Sequence, residues 1–219
     1  MAKDLSQLLT EVRSIIGQTD AASSSISDAT LTAWLNDGYR KAVIELRALP
    51  ITTKDYTPTT GTVTLASTVQ TIDIARFNKQ PLNEFREMEI MTMEDFIRRF
   101  PDYENDDTGI PERIVRKDIT TLIVLPAPNS ANSGKTLRLF SLVMPTALSA
   151  STDLPSALFE PVHDILPHWA AHRAFLFLER ADASTQQLIL FNQGLKSQRN
   201  INQGASRKKG HWRFEEVDA

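Results

Sequence analysis

The sequence contains no cysteine, which excludes disulfides, thiolate metal sites and cysteine nucleophiles together and leaves the redox compartment open, with a cytosolic origin fitting. Glycine is also scarce: eight residues are spread thinly over 219, and Gly61, Gly109 and Gly134 read as isolated turn formers. No glycine-rich phosphate loop, G-x-S-x-G elbow or H-E-x-x-H pair occurs. A cationic excess is missing too. Lys and Arg number 24 against 27 Asp and Glu, for a net charge of −3, whereas a chain built to coat DNA or an anionic membrane needs a clear surplus. No apolar run reaches the length of a membrane span. The first residues, MAKDLSQLLTEVRSII, carry Asp4 and Glu11 inside their apolar pattern and read as a helix, not as a leader. What is present is ordinary for a folded soluble protein: 41% apolar and 23% charged residues, enough for one or two domains with a sizeable core.

Leu5, Leu8, Leu9, Val12, Ile15 and Ile16 recur at spacings of three and four, which predicts a first helix stopped by Gly17. Ala21–Ser25 reads as a flexible connector. Ser27 or Asp28 caps a second helix running to about Leu49, with Leu31, Trp34, Leu35, Tyr39, Ala42, Val43 and Leu46 as its stripe and Pro50 as its end.

From Ile51 to about Met144 the texture is that of strands. Segments 62–65 and 69–74 alternate polar and apolar side chains, and 85–91 is a third strand. Thr92 caps a short helix through Phe100, followed by an acidic loop, Asp102 to Asp107. Segments 113–116 and 121–125 form a hairpin turning at Lys117-Asp118, and 135–143 supplies the sixth strand. Six strands with few helices between them point to a mostly antiparallel sheet or small barrel.

Helix returns after Pro155 and Pro161, both suited to helix starts. The span 162–179 carries Ile165, Trp169, His172, Phe175, Leu176 and Leu178, so much of its girth is apolar, and Pro167 should kink or divide it. Ser184 caps a last helix with Leu188, Phe191 and Leu195 on one face, fading at 200–203. Residues 204–219 then read as an extended arm: Arg207, Lys208 and Lys209, the aromatics Trp212 and Phe214 around Arg213, and the acids Glu215, Glu216 and Asp218. Isolated aromatics among charges suit a peptide that folds onto a partner. The expectation is an α+β chain: a helical bundle from 1–50 and 155–203, a β-rich insertion at 51–154, and a docking arm at 204–219.

The search for chemistry yields little. Asp164, His168 and His172 at i, i+4 and i+8 would share one helix face, the one arrangement open to a divalent metal and a metal-dependent enzyme. His172, however, falls on the apolar stripe, where a hydrogen-bonded core histidine is commoner. Asp102, Glu104, Asp106 and Asp107 lack the alternation and central glycine of a calcium loop. Lys196, Arg199, Arg207, Lys208 and Lys209 form a cationic run without a nucleic-acid-binding motif, and acids follow it closely. An acidic protein surface is its better partner, with a DNA-binding accessory role the weaker reading. No catalytic, metal or cofactor residue is assigned.

Three stretches, in this order, resemble the head-to-tail adaptor (connector) proteins of tailed bacteriophages: LTAWLNDGYR at 31–40, LVMPTALSASTDLP at 142–155 and HDILPHWAAHRAF at 163–175. Pro167 departs from the family's pattern. The resemblance implies a virion protein of the neck, assembled in the host cytoplasm as a dodecameric ring. It implies docking on the portal through the C-terminal arm, with a nozzle or stopper protein received below. DNA would pass through the lumen, during ejection as well, without specific binding. It implies no membrane partner and no cofactor. Another neck component, a stopper or tail terminator, is the nearest alternative.

Overall fold

The computed structural model describes residues 2–18, 25–79, 84–103 and 107–209, with side chains as far as Ile201. The elements in chain order are α1 (Leu5–Ile16), α2 (Asp28–Glu45), β1 (Ile51–Tyr56), β2 (Thr62–Thr64), β3 (Val69–Lys79), β4 (Glu84–Glu87) and β5 (Glu89–Met91). They continue with α3 (Met93–Arg99), β6 (Arg113–Arg116), β7 (Thr121–Leu125), β8 (Leu137–Val143), α4 (Glu160–His163), α5 (Leu166–Phe177) and α6 (Ala181–Lys209). The fold is α+β and divides into two units, residues 1–48 with 145–219 and residues 49–144.

In the helical unit, local sequence sets the helix ends. Asp4 accepts the Gln7 amide while the Gln7 side chain accepts the Asp4 amide, a reciprocal cap that starts α1. Gly17 ends α1 in the left-handed conformation at φ 72°, where a side chain would be strained. Ser27 caps α2 by accepting the Thr30 amide. α2 stops at Glu45, four residues before the expected end, because Arg47 turns left-handed at φ 53° ahead of Pro50. The expected 162–179 helix is two pieces, α4 and α5, with Pro161 and Pro167 each in a first turn, where no amide partner is lost. α5 packs against α1, α2 and α6 and buries Leu166, Ala170, Ala171, Ala174 and Phe175. Its broad apolar girth is therefore used mainly inside the chain, and the small residues let neighbouring helices approach.

Two sequence expectations change in this unit. Residues 145–154, assigned above to the insertion, belong with the helices: Leu5 and Ser6 donate their amides to the Asp153 and Ser151 carbonyls at 2.9 and 3.0 Å. α6 begins at Ala181, with Ser184 already inside it, and it continues to Lys209. Residues 204–209 are thus helical where an extended arm was expected; residues 210–219 lie outside those described, as do the connector residues 21–24.

The other unit holds two four-stranded sheets, in the orders β1-β8-β3-β4 and β2-β7-β6-β5. Val63, Leu65, Ile72, Ala75, Phe77, Ile114, Leu122, Val124, Leu137 and Leu139 from both sheets share one core, the geometry of a sandwich. The far face of β6 and β7 supplies Val115, Ile123 and Leu125 to a second cluster, with Phe96 of α3. β7 is consequently buried on both faces, which is why Leu122–Leu125 is continuously apolar and does not alternate.

The single strand expected at 85–91 is two. Met88 donates its amide to Ala75 in one sheet, and Glu89 donates to Glu112 beside the other, so the chain changes sheets at the buried Met88. β5 then runs parallel to β6, the one parallel pairing among the described strands. β1 escapes sequence reading because it is an exposed edge strand that buries no face. Asp55 on it accepts two hydrogen bonds from Arg138 of β8 at 2.8 Å.

Candidate functional site

The first and third stretches that resemble an adaptor, and the second from residue 145 onward, meet in the helical unit, where their residues hold the helices together. Asn36 of α2 donates Nδ2 to the Leu148 carbonyl at 2.9 Å and accepts the Leu148 amide on Oδ1 at 2.7 Å. This buried amide pairs with the backbone as a second strand would, joining the first stretch to the second across 112 positions. Tyr39, one turn on, accepts the Ala157 amide on its hydroxyl at 3.0 Å. Asp153 accepts the Ser149 and Ala150 amides at 2.7 and 2.8 Å, closing the turn that carries Leu148 into place. The third stretch closes on the first through Gly38, where a Cβ would lie 2.8–2.9 Å from Trp169 side-chain atoms. His163, buried, accepts the Lys3 amide on Nδ1 at 3.1 Å, which leaves Nε2–H to donate to the Leu158 carbonyl at 3.1 Å.

Two expected outcomes follow from this network. Asn36→Ala removes both hydrogen bonds and strands a buried amide and carbonyl, at about 2–4 kcal/mol by the usual cost of such groups. Chemical denaturation of the purified variant measures it. The second outcome concerns acid. Backbone donors hold the carboxyls of Asp153, Asp4 and Asp118 below the usual 3.8: the Ser149, Gln7 and Thr120 amides respectively are the leading cause. A carboxylate whose folded-state pKa is lowered stabilises the fold fully above 3.8 and progressively less as pH falls through the lowered value. The thermal midpoint should accordingly drop below that pH, and less steeply in Asp153→Asn.

Asp164, His168 and His172 are not brought together as a metal set. Asp164 pairs with Lys3 at 2.8 Å. His168 Nδ1 lies 2.7 Å from Gln187 Oε1, and His172 Nδ1 lies 2.7 Å from the Ser184 hydroxyl, which itself donates to the His172 carbonyl. Ser184 thus joins α5 to α6 instead of capping α6. Among the described residues no group of three or more His, Cys, Asp or Glu is placed to hold an ion. Of the acidic loop, Glu104–Asp106 lie outside the described residues.

Two surface features of the helical unit do stand out. Ile44, Leu176, Phe177, Ile189, Leu190 and Ile201 are exposed, and the Phe177 ring lies 6.2 Å from the half-buried Trp34. Between α2 and α6 lies a polar cleft of about 210 Å³, lined by Lys41, Glu45, Leu46, Asn192, Leu195, Lys196 and Arg199. Beyond it α6 carries the backbone of Arg207, Lys208 and Lys209, while Trp212, Arg213 and Phe214 lie outside the described residues. A second cleft, of about 310 Å³, opens in the β unit beside Tyr103, Lys117, Ile123 and Leu125.

A family model described as SU10 adaptor protein matches residues 3–212. The chain belongs to that family of phage head-to-tail adaptors. The match runs through both units. Family membership makes this a phage structural adaptor, a class of virion protein that joins other structural components. No helix among the described residues is long and apolar enough to cross a membrane. No curated protein matches the chain.

Asn36 and Gly38 lie in the stretch at 31–40 that carries the family resemblance, but the sequence assigns neither a contact, and Lys41 falls just beyond it. Only the neighbours brought by folding reveal their work: Asn36 reaches Leu148, Gly38 admits Trp169, and Lys41 stacks over Trp169 at 4.3 Å.

Proposed function

We propose that this chain is the adaptor subunit that docks on the portal, links the capsid vertex to the tail and lets DNA pass. The observation that carries the reading is the adaptor-family match over residues 3–212, which spans both units. In this reading twelve copies form a ring, the exposed apolar residues of the helical unit take part in contacts between copies, and the next nozzle or stopper protein binds below. The arm at 204–219 reaches the portal, with Trp212 and Phe214 as anchors and Arg207, Lys208, Lys209 and Arg213 selecting an acidic surface. A net charge of −3 suits a channel through which DNA must move, since strong phosphate binding would hold the genome in place. Assembly takes place in the host cytoplasm, before the protein becomes part of the virion neck.

Mixing the purified chain with purified portal rings tests this. Co-sedimentation with portal, at a stoichiometry equal to the ring's, is the expected result. Binding to a tail tube or tail terminator with none to portal would reassign the protein to another level of the neck.

A further inference from the structure

We propose that the cleft between α2 and α6 is a carboxylate-binding site, and that its occupant is the acidic end of the same chain, Glu215, Glu216 and Asp218. Lys41 and Glu45 lie one turn apart on α2, and Asn192, Lys196 and Arg199 occupy successive turns on α6, so all five converge on one cleft. Lys41 is half-buried, held over the Trp169 ring, while Lys196 and Arg199 are exposed. No ion pair to a described acid engages Lys41, Lys196 or Arg199, although Glu45 shares the cleft. The site therefore presents three cations and an amide donor against one carboxylate, an unbalanced charge that an acidic segment would neutralise.

Carboxylates fit this cleft better than phosphates do. About 210 Å³ accommodates a side chain or two and not a nucleic-acid strand. The chain itself supplies the matching group, three acids within four residues. Reach permits it: Arg199 lies about 15 Å back along α6 from Lys209 at 1.5 Å per residue. Six extended residues beyond Lys209 carry Glu215 up to about 20 Å. Tethering also gives the segment a local concentration in the millimolar range, so modest ion pairs suffice. With one end fixed by α6 and the other by the cleft, Trp212–Phe214 would be presented as a loop. That consequence rests on the arm's role above; the site itself does not.

The absence of cysteine makes a clean test possible in the full chain. Spin labels at Ser197→Cys and Ala219→Cys should give a short, narrow distance distribution. In K196E/R199E it should lengthen and broaden, with circular dichroism unchanged because both side chains are exposed. Adding E215K/E216K to that variant should restore the short distance, which a merely structural change would not do. The same distribution with and without K196E/R199E would overturn the proposal. So would a short distance that appears only when singly labelled copies are mixed, since the occupant would then be a neighbour's tail. Binding of a short DNA duplex to protein lacking 210–219, lost in K196E/R199E, would make the cleft a phosphate site. None of these readouts involves portal, so the failure of either proposal is distinguishable from the failure of the other.

Discussion

A chain ending at Lys209 is expected to fold with an unchanged circular-dichroism spectrum and to lose portal binding by a hundredfold or more. The truncation is placed after α6 so that the helix stays whole; a cut at residue 204 would remove its last turn and a half and confound docking with helix stability. The expected size comes from the anchors. Buried aromatics at interfaces cost about 2 kcal/mol or more each on truncation. In a ring many copies act together, so a small loss per arm becomes a large loss of avidity. Trp212→Ala with Phe214→Ala should reproduce most of the effect within the full-length chain. Co-sedimentation with portal reads both, and unchanged binding by the truncated chain would remove the arm from the docking mechanism.

Gly38 is the position where one added atom should matter most to stability. A Cβ there would lie 2.8 Å from Trp169 Cδ1 and 2.9 Å from its Cβ and Cγ, the last two close to the α5 backbone and not at a flexible tip. The indole has little room to yield. Phe191 lies 5.2 Å away between ring centres, His172 5.6 Å, and Lys41 stacks on it at 4.3 Å. Replacing glycine by alanine in a helix gains roughly 1 kcal/mol of propensity, while overpacking a tight helix crossing costs about 1–3 kcal/mol. The clash should win, so Gly38→Ala should be destabilising and Gly38→Val or Gly38→Leu more so. The transition of the helical unit should move to lower temperature in calorimetry while that of the β unit stays in place. Trp169→Leu should recover part of the loss in the double variant, because neighbouring substitutions couple and distant ones do not. A stability gain in Gly38→Ala would show that α2 and α5 have room between them.

The helical unit was legible where local chemistry decides. Gly17 and Ser27 act where their side chains or lack of one dictate, as Thr92 does in the β unit, and the stripes of α1 and α2 face inward as their spacing requires, whereas Asp4, read only as an acid within the first helical pattern, is the cap that starts α1. Tertiary context hid the rest. No local signal distinguishes Arg13, yet its guanidinium is buried against the Ile26 carbonyl at 3.2 Å and pairs with Asp28. β1 has neither alternation nor burial and exists because β8 offers it an edge. Met88 divides one apparent strand between two sheets, a topological event that periodicity cannot express. The same limit applies to function. The proposed docking residues carry their signal in composition, aromatics between charges, whereas the α2–α6 cleft is assembled from residues 146 to 158 positions apart and is visible only after folding.

Imaging the neck of the assembled particle by electron microscopy, with the chain located by its fold, is the most direct check on its role. The expected density is a ring of this α+β fold seated against the portal, with the segment beyond α6 lying on portal surface. A ring of this fold placed lower in the tail, separated from the portal by another protein, would contradict it.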